Sequence, residues 1–181
     1  QTVVALQALV TRTTSPIDPV VIGIGILNSG TSYNIVSGSG VREGTTRTTS
    51  AKTRQEVRDK ITNTAQNIAK IYGGSAKVIW TDYTSALIND ERVSEEVREV
   101  VRDILGEDAI KTRPISLGGD NFAEFILEVP GAYAYLGTSN ESKPNTLIQI
   151  HNEGFDIDEN ALDIGAALYA GYALKWLNLE F

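Results

Sequence analysis

Residues 50–74 read SAKTRQEVRDKITNTAQNIAKIYGG, and the reading of this stretch decides the fold. Val57, Ile61, Ala65, Ile68 and Tyr72 recur at three- or four-residue intervals, the spacing that gathers side chains on one face of an α-helix. Ser50 stands where a hydroxyl can take a hydrogen bond from the first free N–H groups, and Gly73-Gly74 stand where a helix ends. On the other face Lys52, Arg54, Arg58 and Lys60 are interleaved with Glu56 and Asp59, so the basic residues form a solvated surface.

An amphipathic helix must bury its apolar stripe, and the flanking sequence supplies extended segments to bury it against. On the N-terminal side, Val20–Leu27 is β-branched and mostly apolar, Asn28-Ser29-Gly30 is a turn signal, and Ser32–Val36 reads as a second extended run. Ser37–Gly40 is a flexible connection and Val41–Thr48 a third, Thr-rich strand. Before these, Thr2–Thr11 reads as a helix through Val3, Leu6 and Val10, with Val4 and Leu9 widening the face, and Ser15-Pro16 and Asp18-Pro19 end it. On the C-terminal side Ala76–Thr81 reads as a strand. With Ser32–Val36 not counted as a full strand, the order α, β, β, α, β predicts an α+β layer of the ferredoxin-like kind without the strand that would precede the first helix, which leaves a sheet edge to be covered.

From Ala86 onward the character changes. Ser94–Leu105 predicts an amphipathic helix on Val93, Val97, Val100, Val101 and Ile104, stopped by Gly106. Pro114–Phe122 holds a Gly-Gly turn leading into a short helix, Asn121–Glu128. Tyr133–Leu136 and Leu147–Ile150 read as strands. Asp158 is placed to cap a last helix running through Leu177, with Leu162, Ala166, Tyr169, Ala173 and Leu177 on one face. Gly165, Ala166, Ala170 and Gly171 suit close packing of that helix, and there is no internal repeat. The reading therefore divides the chain into residues 1–85 and 86–181.

The totals narrow the function. With 181 residues the chain has room for one domain or two small ones, and a formal charge of −7 argues against a nucleic-acid partner. There is no cysteine, which excludes disulfides, thiolate nucleophiles and Cys-based zinc sites. No apolar run approaches the length of about 20 residues that spans a bilayer, and Gln1 opens on helical sequence without a basic leader. These features give no membrane partner and an expected cytoplasmic location. The sequence also lacks methionine, at position 1 as elsewhere, so it is expected to be processed, excised or part of a longer polypeptide.

Four places carry residues suited to chemistry. His151 is the only histidine and follows the expected strand Leu147–Ile150, at the start of a polar loop with Asn152, Glu153, Asp156 and Asp158. Strand ends are where ligands bind in α/β sheets, so it is a candidate metal ligand; the plain alternative is a loop histidine bonded locally. Gly118 and Gly119, in Ser116–Phe122, form a turn whose backbone N–H groups at a helix start can receive a carboxylate or phosphate. Equally, they serve only a left-handed turn that Asp120 caps. Asn34 can donate to a substrate carbonyl or carboxylate or hold a turn, and Arg47 can pair with a carboxylate or remain a surface group. No Ser–His–Asp arrangement and no Gly-x-Ser-x-Gly turn is present, so no catalytic residue is assigned within the chain.

These stretches in succession resemble the C-terminal half of the M20 family of aminoacylases and carboxypeptidases. The nearest branch hydrolyses N-acyl amino acids, as hippurate hydrolase and auxin-conjugate hydrolases do. Ala5–Thr11 with Arg12, and Ser15–Pro19, resemble that family's lid helix and the segment after it. Gly30–Ile35 is similar to Gly-Thr-Ala-Phe-Asn-Val and Glu43–Thr48 to Glu-Gly-Thr-Val-Arg-Thr. Leu117–Phe122 is similar to Gly-Ser/Gly-Glu-Asp-Phe. Val129–Ala132, Leu136–Thr138 and His151 through Phe155-Asp156, Asp158-Glu159 and Ala161-Leu162 complete the series.

The resemblance implies a ferredoxin-like lid, which is also a dimerisation domain, followed by the C-terminal part of an α/β metallopeptidase catalytic domain. It implies amide hydrolysis by a metal-activated water, on small N-acyl amino acids or peptides, at a centre of two divalent ions. Zinc is the first expectation, with manganese or cobalt as alternatives. By position His151 matches the last metal-ligand histidine, and Asn34 matches a lid residue that contacts substrate, in some members from the partner subunit of a homodimer. The remaining ligands and the carboxylate that activates water belong to an upstream half, so the chain alone is expected to be inactive. Three departures stand out: Asn28 where the branch often has His, Val36-Ser37 for Ile-Pro or Pro-Asp, and Asp120-Asn121 for Glu-Asp. They motivate an alternative, a non-catalytic dimerisation or binding module derived from such a lid.

Overall fold

The computed structural model describes residues 1–15 and 17–178. Pro16, read above as a helix breaker, lies outside them. The fold is mixed α/β: helices α1 (Thr2–Arg12), α2 (Ala51–Ile71), α3 (Glu91–Leu105), α4 (Phe122–Glu128) and α5 (Asn160–Trp176), with strands β1 (Val20–Ser29) and β2 (Gly40–Thr48). The chain divides into two compact units, Gln1–Leu87 with Ile115–Glu124, and Ile88–Pro114 with residues 125 onward. No helix among the described residues is long and apolar enough to cross a membrane.

In the first unit β1 and β2 form an antiparallel pair in the register Val20↔Thr48 to Ser29↔Gly40, interrupted by a bulge between Ile24 and Ile26. Leu6 of α1, Val20 and Ile22 of β1, and Val57 and Ile61 of α2 make the buried core, with Leu9, Val10, Ile24 and Trp80 packed on it. The expected caps of α2 are present. Ser50 Oγ accepts from the Thr53 N–H at 3.0 Å, and Gly73 turns left-handed at φ +74° while Gly74 N–H returns to the Ala69 carbonyl. The α2 stripe is buried only along its first half; Tyr72, at its end, is exposed because the core residues do not extend that far.

Two expected strands of this unit do not form. Ser32–Val36 is a turn, in which Ile35 N–H reaches the Ser32 carbonyl and Tyr33 stands in solvent. Serine hydroxyls on both sides bond the local backbone, Ser29 Oγ donating to the Ser39 carbonyl, and nothing apolar is buried to reward an extended ladder. Ala76–Thr81 keeps a strand's alternation, with Ala76, Val78 and Trp80 half-buried and Lys77, Ile79 and Thr81 exposed. A strand is defined by its ladder, and this segment has no pairing partner among the described residues. Trp80 is instead held by its ring N–H donating to Thr62 Oγ1 at 3.3 Å and by the Arg58 guanidinium over its face.

In the second unit α3 starts a turn earlier than expected because Asp90 caps it, its carboxylate accepting from the Val93 N–H at 2.9 Å. Gly106 ends it at φ +86°. Tyr133–Leu136 is not a strand, and the Asn89 side-chain amide bonds both backbone groups of Tyr133 as a strand neighbour would. Leu147–Ile150 is not one either. Pro144–Leu147 closes into a short 3₁₀ turn, which proline favours at its first position.

The α5 stripe also corrects the sequence reading. Leu162, Ala166, Tyr169, Ala173 and Leu177 are exposed, while Asp158 meets the start of the helix, its Oδ1 accepting from the Asn160 N–H at 3.4 Å although Glu159 occupies the capping position. The opposite side faces α3, where Tyr172 Oη donates to Glu96 at 3.1 Å and Lys175 pairs with Glu99. A helix that is apolar nearly all round carries no periodic signal for choosing its buried face.

Candidate functional site

The structure brings three of the predicted residues together in the first unit. Arg47, near the end of β2 opposite Val21, donates from Nη1 to the Leu117 carbonyl at 3.0 Å. That anchors the Gly118-Gly119 turn. A Cβ built on Gly119 would lie 3.1 Å from Thr84 Cγ2 and 3.8 Å from Arg47 Nη1, so glycine permits this close approach. Neither Gly118 nor Gly119 has a positive φ, which corrects the expectation of a left-handed turn. Gly118 N–H donates to Ser116 Oγ at 3.1 Å, and Asp120 Oδ1 accepts from Phe122 N–H at 2.8 Å. Two of the turn's N–H groups are therefore already engaged, as in the capped-turn reading.

Residues that the sequence reading missed complete this surface. Thr84 Oγ1 donates to the Asp120 carbonyl at 2.9 Å, and Ser85 N–H donates to Glu124 Oε1 at 2.6 Å. Arg58 Nη1 bonds both Asp82 carboxylate oxygens, at 3.2 and 3.1 Å, and Arg54 pairs with Asp82 at 3.8 Å while also donating to the Thr84 carbonyl. Arg54, Asp82, Tyr83, Thr84, Ser85 and Glu124 line a shallow pocket here. The helical half of this set is readable, since Arg54 and Arg58 are one turn apart on α2; their shared carboxylate is 24 residues beyond Arg58, with no local signal.

Asn34 lies elsewhere. It is exposed in the connection between β1 and β2, where its Oδ1 accepts from Ser32 Oγ at 2.7 Å. Arg47 pairs with Val21 and the connection begins beyond Ser29. The strand between these ends spans about 26 Å at about 3.3 Å per residue. The structure does not bring Asn34 to Arg47 within one chain.

His151 belongs to the second unit. It is exposed, in a turn, and adopts φ +69°, a left-handed conformation unusual for a residue with a side chain of this size. Among the described residues no group of three or more His, Cys, Asp or Glu could hold a metal ion. A zinc centre takes about three or four protein ligands, so the residues present do not by themselves make a metal centre.

Beside the His151 turn, Asp158 accepts from Asn140 Nδ2 at 2.6 Å and from Lys143 Nζ at 2.7 Å. The lysine and then the amide hold its carboxyl down at a pKa of about 2, below the ordinary 3.8. A carboxyl depressed in the fold stabilises above its unfolded value and loses that contribution as pH falls through its folded value. The unfolding temperature of wild type should therefore exceed that of Asp158→Asn at pH 5, and the gap should shrink as pH falls from about 4 to about 2. Thermal melts of both proteins across that range check it; a gap independent of pH would remove the ion pair as its cause.

Comparison with known proteins gives this geometry a family. The family model described as "Peptidase family M20/M25/M40" matches residues 4–175. The chain is 31% identical over 175 residues to "Thermostable carboxypeptidase 2" of Saccharolobus solfataricus, covering 96% of this chain and 44% of that protein. It is 30% identical over 179 residues to an IAA-amino acid hydrolase of Arabidopsis thaliana, covering 97% and 40%. Among solved structures, a dinuclear metal-binding peptidase of the M20 family from Bacillus subtilis superposes with a TM-score of 0.82 at 26% identity, over 98% of this chain and 44% of that one. The chain spans less than half the length of these relatives. With a family match running over nearly all its residues, the chain belongs to the M20/M25/M40 peptidase family.

Proposed function

We propose that this chain is the C-terminal portion of a metal-dependent amidohydrolase that cleaves N-acyl amino acids or small peptides. The observation that carries the reading is the family match over residues 4–175, together with relatives named carboxypeptidase and amino acid hydrolase. Residues 1–85 correspond to a ferredoxin-like lid through which two copies pair, and residues 86–181 to the returning part of the catalytic domain. His151 contributes one ligand to a centre of two divalent ions, zinc first and manganese or cobalt as alternatives, whose other ligands come from outside these 181 residues. A divalent ion in such enzymes supplies Lewis-acid activation of water and of the scissile carbonyl.

The chain's own residues have narrower tasks. Arg47 binds the substrate carboxylate: a guanidinium offers five donors, and among the described residues one is used, on the Leu117 carbonyl. Gly118 and Gly119 let the turn lie close beside it. Asn34, far from Arg47 on its own chain, serves the site of the partner copy and donates to the substrate carbonyl. No proton transfer is assigned to any residue here.

The test is hydrolysis of a panel of N-acyl amino acids and dipeptides by the full product of the reading frame, with metal content measured by elemental analysis. Metal retention with chelator-sensitive hydrolysis is expected, and the 181-residue chain alone should show neither. The lone histidine and the absence of a metal-holding cluster among the described residues favour a second reading, a non-catalytic dimerisation or binding module. A stable dimer of the full product, free of metal and inactive on the whole panel, would establish that reading and overturn the first.

A further inference from the structure

The segment around His151 is fastened by a polar clasp that the proposed function does not use. Thr146 is buried, and its Oγ1 accepts from the Asn140 N–H at 2.8 Å while donating to the Lys143 carbonyl at 2.8 Å. Ser139 Oγ donates to the Thr146 carbonyl at 3.2 Å. Asn140 is bonded to Asp158 through Nδ2, and its Oδ1 accepts from the Ser142 N–H and hydroxyl. Asp158 is held in turn by Lys143, and its N–H donates to the Thr138 carbonyl at 2.9 Å. Residues 138–147 are thereby joined to Asp158, which closes residues 148–157 into a loop.

Inside that loop Asn152 turns the chain. Its Oδ1 accepts from Gly154 N–H at 2.9 Å and its carbonyl accepts from Phe155 N–H at 3.1 Å. Gly154 approaches Ile148 so closely that a Cβ there would stand 3.1 Å from Ile148 Cδ1. His151 sits between these contacts with φ +69°. That conformation is uncommon for a residue bearing a side chain, histidine being among those that adopt it more readily, and among the described residues the loop contacts on either side are what hold it.

We infer that Thr146 and Asn140 are positioning residues for His151, the buried hydroxyl and the amide closing the loop so that the backbone of His151 is held in its left-handed conformation. The inference rests on the reading of His151 as a site residue. It acts at the backbone, so it can be measured without turnover.

The experiment compares wild type with Thr146→Val, which keeps the shape and removes the hydroxyl, and Thr146→Ser, which restores it. His151 is the only histidine, so NMR of the chain gives a single imidazole and a single histidine Cα–Hα signal. Wild type and Thr146→Ser should show the shifts of a left-handed residue, and Thr146→Val should move them toward averaged values. In the full reading-frame product kcat should fall up to about 100-fold in Thr146→Val and recover in Thr146→Ser, the cost that a displacement of about 1 Å at a reacting group can reach. If Thr146→Val does not fold, Asn140→Ala carries the same expectation. A folded variant with an unchanged His151 signal and an unchanged kcat overturns the inference. If His151→Ala leaves hydrolysis intact, the site reading falls instead, and the NMR arm still decides whether the clasp sets the backbone of His151.

Discussion

His151→Ala in the full reading-frame product is expected to lower hydrolysis of N-acyl amino acids more than about 100-fold and to reduce bound metal. The size follows from what weaker changes do: loss of an outer partner of a metal-ligating histidine typically costs about 10- to 100-fold, and removal of the ligand itself should exceed that. The chain offers no substitute. It has no second histidine and no cysteine, and among the described residues no three acidic or imidazole groups converge. Because His151 occupies the left-handed region, alanine there also adds backbone strain, which would mix a conformational effect with loss of the imidazole. His151→Asn separates the two, since asparagine tolerates that region. Both variants should lose activity and metal alike, and with metal removed from all three proteins His151→Asn should unfold near wild type, the side chain being exposed and the backbone region tolerated. Full activity and full metal in His151→Asn would remove His151 from the site and with it the link between this chain and the hydrolase chemistry.

That expectation began with one residue in a loop, and the difference between what could and could not be read along the chain has a physical pattern. Helix α2 was legible because its signals are local: Ser50, the stripe from Val57, and Gly73 each act on residues within a turn or so of themselves. The extended segments β1 and β2 were legible for the same reason, but their direct pairing across Ser32–Val36 was not. Ala76–Thr81 was misread because alternation is a property of the segment, whereas strand formation depends on a partner that may be anywhere in the sequence. At Ser32–Val36 local serine bonds outweighed β-propensity, and in α5 uniform apolarity left the buried face undetermined. The candidate site follows the same division. Gly118 and Gly119 were visible as a turn and Arg47 as a strand-end cation, but their meeting joins residues 70 positions apart. The clasp of Asn140, Lys143 and Asp158 was hidden likewise, since each of its residues is ordinary for a polar loop. His151 was singled out by its rarity; its left-handed backbone had no sequence signal, because even histidine lies in that region only in a small minority of cases.

Gly44→Ala should destabilise the chain by about 1–3 kcal/mol, the range in which added volume that forces a backbone shift falls, although the residue is exposed. Gly44 pairs with Ile24 at the bulge of the hairpin. A Cβ on Gly44 would lie 2.1 Å from the Gly23 carbonyl oxygen and 2.9 Å from Ile24 Cδ1. The first of these is backbone, so no side-chain rotation relieves it and one strand must move. Its φ is not in the left-handed region, so the requirement for glycine comes from this close approach alone. Gly25 is the matched control: it sits within the same bulge, and a Cβ there would meet nothing within 4 Å. Gly25→Ala should remain within about 0.5 kcal/mol of wild type. At about 2–4 °C per kcal/mol for a chain of this size, Gly44→Ala should lower the unfolding temperature by several degrees and Gly25→Ala should leave it nearly unchanged. The hairpin also transmits this change to the site. Arg47 lies three residues beyond Gly44, and a one-residue slip of β2 to escape the clash would turn every following side chain to the other face. Arg47 would then lose the Leu117 carbonyl, and the turn of Gly118 and Gly119 would lose its anchor. Equal unfolding temperatures for the two alanine variants would mean that the strands yield without cost at Gly44, and the bulge would no longer account for how Arg47 is aimed.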